Sequence, residues 1–176
     1  MPEDRPTIQA GINAAVNGDT VLVNEGTFYE NVDFKGKAIV VASYMIRDND
    51  TTHRNNTIIN GSQPGDPQKG SVISFVSGED TTSVICGLTI TGGSGTLSDG
   101  TSRLGGGIFC YSSGAKIKQN KIINNSITHT GEARGGGVDF IYANSPALIQ
   151  GNTIAYNSLD VSSFGGGIHL YQSKGV

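Results

Sequence analysis

Isoleucine returns at positions 58, 90, 122 and 154, three successive steps of 32 residues, and serine keeps the same step at 62, 94, 126 and 158. A fixed period of this size marks a chain built from supersecondary units that stack only on their neighbours. The runs Asn56 to Ser62, Leu88 to Ser94, Asn120 to Ser126 and Asn152 to Ser158 align around those isoleucines. Gly61, Gly93, Asn125 or Asn157 precedes each serine, and glycine and asparagine tolerate the left-handed backbone region. A turn with positive φ is therefore expected at those four positions.

A second lane keeps a different step. Gly105-Gly106-Gly107-Ile108, Gly135-Gly136-Gly137-Val138 and Gly165-Gly166-Gly167-Ile168 recur every 30 residues, with Gly70 to Val76 as a looser earlier member that aligns Ile73 with Ile108. A third lane places Ile85, Ile117 and Ile149 on the 32-residue step. Unequal steps mean that the connections vary in length while the strands are retained. Three short strands per coil, punctuated by Gly and Asn and without a 3.6-residue period, give an all-β fold: a right-handed parallel β-helix, a three-faced solenoid. The 26 glycines, about twice the usual share, fit so many tight turns.

With coils about 4.8 Å apart, Ile58, Ile90, Ile122 and Ile154 are expected to touch in one interior column. Asn56, Asn120 and Asn152, interrupted by Leu88, are expected to form a partial ladder that satisfies backbone groups in a corner. A solenoid must also cover its first open edge. Residues 6–17 suit a short N-terminal capping α-helix, with Pro6 in the first turn, Asp4 or Arg5 before it, and Ile8, Ile12, Ala15 and Val16 on one face. Asn17-Gly18 ends it and Thr20 to Val23 begins the first strand, so residues 1–176 read as one domain with coils from 20 onward. The sequence reaches Val176 before the coil opened at Gly165 can close, so continuation of the solenoid, or self-association through an uncapped end, is expected.

The run from Thr7 to Val32, together with the Asn-x-Ile and Gly-Gly-Ile lanes, resembles the capping helix and first coil of the pectin-lyase-like superfamily, and the resemblance covers nearly the whole chain. It implies the β-helix fold, a secreted or cell-surface location and a polysaccharide or glycan as partner. It does not select an activity, because the superfamily includes lyases, esterases, glycoside hydrolases, epimerases, tailspikes and adhesins. The signature sets of polygalacturonases, pectate lyases and pectin esterases are missing from the sequence.

A formal charge of -3 with 15% charged residues leaves no basic stripe for nucleic acid. No apolar run approaches the roughly 18 residues of a membrane span, so membrane insertion is not expected, and the N-terminus lacks a signal region. Cys86 and Cys110 read as packing residues, and three histidines, His53, His129 and His169, make no zinc pattern. No cofactor is expected. The one weak metal candidate is calcium on Asp48 and Asp50, in an insertion that otherwise reads as a solvated loop.

Alternation along the Gly-Gly-Ile strand points Ile108, Val138 and Ile168, and then Cys110, Phe140 and Leu170, inward. Phe109, Asp139 and His169 form an outward column headed by Ser74, and Tyr111, Ile141 and Tyr171 form a second column headed by Val76. Segments 95–104, 127–134 and 159–164, read as loops, supply one wall of a groove along this face. Asp139 and His169, one coil apart, are the candidate catalytic pair for proton transfer, with Arg134 to stabilise negative charge. The alternative for the pair is an exposed ion pair on a solvated strand. Phe109, Tyr111, Tyr171, Arg103, Glu132 and His129 are the candidate substrate-binding residues. Two functions follow: a glycan-binding, adhesive or structural segment of a larger surface protein, or a polysaccharide lyase or glycoside hydrolase acting on an acidic polysaccharide.

Overall fold

The computed structural model describes residues 5–143, 145–160 and 163–173. Asp4 and the end at Val176 lie outside them. The chain forms a three-faced parallel β-solenoid, each face a stack of five strands. The first face stacks Thr20–Val23, Val40–Ser43, Val84–Cys86, Lys116–Lys118 and Leu148–Gln150. The second stacks Gly26–Phe28, Thr57–Asn60, Thr89–Thr91, Lys121–Ile123 and Thr153–Ala155, and the third Val32–Asp33, Ile73–Phe75, Ile108–Tyr111, Val138–Ile141 and Ile168–Tyr171.

Register turns the sequence lanes into interior columns. Val21, Val41, Ile85, Ile117 and Ile149 line up on the first face, and Val32, Ile73, Ile108, Val138 and Ile168 on the third. On the second face the column is Ile59, Ile90, Ile122 and Ile154. Ile58, expected there, pairs with Thr89 and is only half-buried, whereas Ile59 is fully buried. The cause is the insertion before it, which forms two short helices and delivers the strand one residue out of the 32-residue step.

The segment expected as a capping helix is α1 (Ile8–Ala14), with Ile8, Gly11 and Ile12 buried. Thr7 caps it, its Oγ1 accepting from Ala10 N at 3.0 Å. Glu30 from the first coil accepts from the N–H groups of Ile8 and Gln9, and Lys37 Nζ donates to the carbonyls of Ile12, Asn13 and Ala15. Side chains of the solenoid thus satisfy both helix ends, where backbone groups lack intrahelical partners. Ala15 already has extended backbone, so Val16 is not on the buried face and is 66% exposed.

The acidic insertion is helical, not a loop: α2 (Met45–Asp48) and α3 (Thr51–Asn56). Asp50 caps α3 by accepting from Thr52 N, and His53 bridges Glu25 on the first coil and Asp48 through its two ring nitrogens, at 2.8 and 3.1 Å. The two acids expected to hold calcium are engaged in these contacts, and among the described residues no group of three or more His, Cys, Asp or Glu gathers as a metal site.

Asparagine ladders do form, at two corners. Asn120 Oδ1 accepts from Leu88 N and its Nδ2 donates to Ile85 O, and Asn152 repeats the pattern one coil later on Asn120 N and Ile117 O. Asn56 is not a rung, because it ends α3 and donates to Glu25. The second ladder is Asn125 and Asn157, bonded to Gly93 N and Ile90 O, and to Asn125 N and Ile122 O. The positive-φ residue falls one place earlier than expected at Gly92, Asn124 and Tyr156, and in the first repeat neither Gly61 nor Asn60 takes positive φ. Asn125 and Asn157 point their amides into the corner instead. Cys86 and Cys110 are free and buried.

Candidate functional site

The segments read as loops, 95–104, 127–134 and the described residues of 159–164, carry strands. Strands Lys69–Gly70, Gly95–Ser98, Ser102–Leu104, Glu132–Arg134 and Ser163–Phe164 form a flanking sheet beside the third face, antiparallel where Gly95–Ser98 folds back and parallel from Ser102–Leu104 onward. The Gly-Gly-Gly runs link this sheet to the third face. Gly105, Gly135 and Gly165 have φ of 58°, 60° and 69°, and a Cβ on Gly135 would lie 2.5 Å from Asp139 Cβ. Only glycine lets the chain turn so sharply against the outward side chain of its own coil.

Outward on the third face, Asp33, Ser74, Phe109, Asp139 and His169 stand in one register column. The flanking sheet covers its middle. Phe109, expected as an exposed sugar platform, is 5% exposed and packs with Leu104 and Ile141 in a small second core. Ile141 is buried too, so the second column presents Tyr111 and Tyr171 without it.

Asp139 is fully buried, and its Oδ1 lies 2.8 Å from His169 Nδ1. Burial pushes the Asp139 carboxyl up to about 6; the bond and charge of His169 and the charge of Arg134 oppose that rise without cancelling it. Glu132 and Arg134 alternate on one strand, which puts both side chains on the same side. They form an ion pair, and the Glu132 bond raises the Arg134 pKa. The guanidinium also lies over the Tyr171 ring, 5.2 Å from its centroid.

Tyrosines define the open wall. Tyr111, Tyr142 and Tyr171 succeed one another edge to face, with ring centroids 5.8 and 5.6 Å apart. Tyr142 was not legible as a site residue, because it follows the outward strand in a left-handed conformation, φ 52°, which tyrosine does not advertise. The recurrence of Ser112, Tyr142 and Gln172 at positive φ, each one step after the strand, is the signal that locates it.

Tyr111, Tyr142, Tyr171, Asp99, Glu132 and Arg134 line one cleft, and an adjoining hollow that shares Glu132, Arg134 and Tyr171 is bordered by Phe164 and His169. A separate hollow lies beside Asp33 and Ser74. Two expected residues lie elsewhere. Arg103 donates to the carbonyls of Gly95 and Pro67 at 2.8 Å each, clamping the flanking hairpin. His129 Nε2 lies 3.0 Å from Thr101 O, in the connection that leads into the flanking sheet.

The arrangement can stack a ring on tyrosine, offer carboxylates and a guanidinium to hydroxyls, and present His169 for proton transfer. Asp139 has no exposed surface with which to touch a substrate. No protein-family model matches the chain, and no curated protein or solved structure does either.

Proposed function

We propose that this chain is a glycan-binding β-helix module, a segment of a secreted or cell-surface protein, whose ligand lies along the third face in the tyrosine cleft. The observation that carries this reading is the tyrosine row itself, one exposed ring per coil at Tyr111, Tyr142 and Tyr171. Aromatic faces at a regular spacing beside convergent polar side chains suit a repeating ligand with alternating apolar and hydroxyl-bearing surfaces. The repeat is that of the solenoid, about 4.8 Å per coil. The resemblance to the pectin-lyase-like superfamily supports the same reading at the level of fold and setting.

Titration calorimetry of the chain against neutral and acidic oligosaccharides tests it. Tyr142→Ala is expected to weaken binding about tenfold, equivalent to about 1.4 kcal/mol. Unchanged affinity in that variant, or no saccharide bound by the wild type, overturns the assignment.

A second reading, a polysaccharide lyase or hydrolase, is favoured by the Asp139–His169 pair. The buried carboxylate fixes the imidazole through Nδ1, which leaves Nε2 as the proton-transferring atom and makes Asp139 a positioning residue. Release of reducing ends or of unsaturated products, lost in His169→Gln, is its test. Equal release by the variant removes the pair from the chemistry.

A further inference from the structure

We infer that the cleft accepts uncharged, hydroxyl-rich saccharides and rejects acidic ones, and that Glu132 is the residue that sets this specificity. The inference rests on the glycan-binding reading and names its ligand class.

The argument begins with the cations. Arg103 spends its guanidinium on two backbone carbonyls. Lys69 lines the separate hollow beside Asp33 and Ser74, not the tyrosine cleft. Among the described residues Arg134 is therefore the guanidinium that lines the tyrosine cleft, and Glu132 already occupies it. The pair is preset by the fold, two residues apart on one strand, with the guanidinium held against the Tyr171 face and Nε buried. A ligand carboxylate would have to displace Glu132 to reach it.

The anions point the same way. Asp99 accepts from the N–H groups of Thr101 and Ser102 and from the Thr101 hydroxyl, which holds its carboxyl below the usual carboxylate range. Ser102 is the register partner of Glu132. Two carboxylates, Asp99 and Glu132, thus line this cleft against one guanidinium. An entering uronate meets net negative charge, whereas a neutral sugar finds acceptors for its hydroxyls and rings for its apolar face. Like-charge exclusion is how a site refuses a close relative of its ligand.

Glu132→Gln keeps the shape and removes the competing charge. The full chain and this variant are titrated with a neutral gluco-oligosaccharide and with oligogalacturonate of equal length. The wild type is expected to bind the neutral probe at least about tenfold more tightly, and Glu132→Gln to gain about tenfold for the uronate. Tighter uronate binding by the wild type, or no gain in the variant, overturns the inference. If no saccharide binds the wild type, the glycan reading fails. The gate is still decided by titrating acetate while following the Arg134 Nε–H resonance. A response in Glu132→Gln and in Glu132→Ala but not in the wild type upholds it, and equal responses in all three sink it.

Discussion

Asp139 sits where the fold sets two demands against each other. Its strand position puts it outward, in register with His169, yet the flanking sheet and the Gly135 turn seal it completely. Desolvation then favours the neutral acid, and the carboxyl is pushed up to about 6, against about 3.9 for an unfolded aspartate. The sign follows: between those values the folded chain holds a proton that the unfolded chain has released. Stability from this group is complete below about pH 3.9 and is lost as pH rises through about 6, by about 2–3 kcal/mol. Asp139→Asn cannot titrate. Its stability relative to the wild type is expected to rise by that amount between pH 4 and pH 8 in paired urea melts, and a constant difference would contradict the burial argument. The Asp139–His169 neighbourhood was legible from the 30-residue lane because strand alternation and coil stacking dictate it. The burial of Phe109 was not, because its cover comes from segments too rich in Gly, Ser and Asp to read as sheet.

Corners, more than faces, make the elements specific. Each Asn125-type side chain feeds two backbone groups of the preceding coil, an N–H through Oδ1 and a carbonyl through Nδ2, where the chain turns. Asn125→Ala strands the N–H of Gly93 and removes the side-chain bonds to the Ile90 carbonyl and to Asn157 Oδ1. Since a buried unsatisfied group costs about 1–3 kcal/mol, the variant is expected to lose about 3 kcal/mol in chemical denaturation, with faster amide exchange at Gly93. Asn125→Asp, which keeps the acceptor and loses the donor, should fall between. The asparagines and their step are visible in the sequence, but the left-handed conformation belongs to the residue before each of them. Gly92, Asn124 and Tyr156 take the left-handed conformation, and a tyrosine there carries no compositional signal. The off-step arrival of Ile59 has a similar origin, since two short helices, each with fewer than eight residues, leave too little periodicity to be read before the strand they displace.

Over the whole molecule, stability is a sum of coils and of the contacts between neighbours, so equivalent residues need not be equivalent in energy. Ile90 and Ile122 are fully buried, each with a described coil on either side, whereas Ile154, in the last described coil, is only partly buried against the core. The lane of identical isoleucines gives no hint of this difference, because period records what stacks and not how completely it is covered. A large-to-small change in a filled core costs about 2–5 kcal/mol through lost transfer energy and the cavity left behind, and less where surroundings are open. In this 176-residue chain Ile122→Ala is therefore expected to cost about 3–4 kcal/mol and Ile154→Ala about 1 kcal/mol by urea denaturation. Residue-resolved hydrogen exchange should place the Ile154→Ala effect in the coil carrying Tyr171 and His169, while Ile122→Ala also opens the coil carrying Tyr111. Equal costs for the two variants would mean that the coils unfold as one cooperative block in which local burial does not set the energy. That outcome would also tie the ligand cleft, which spans these same coils, to the stability of the whole stack and not to its own stretch of it.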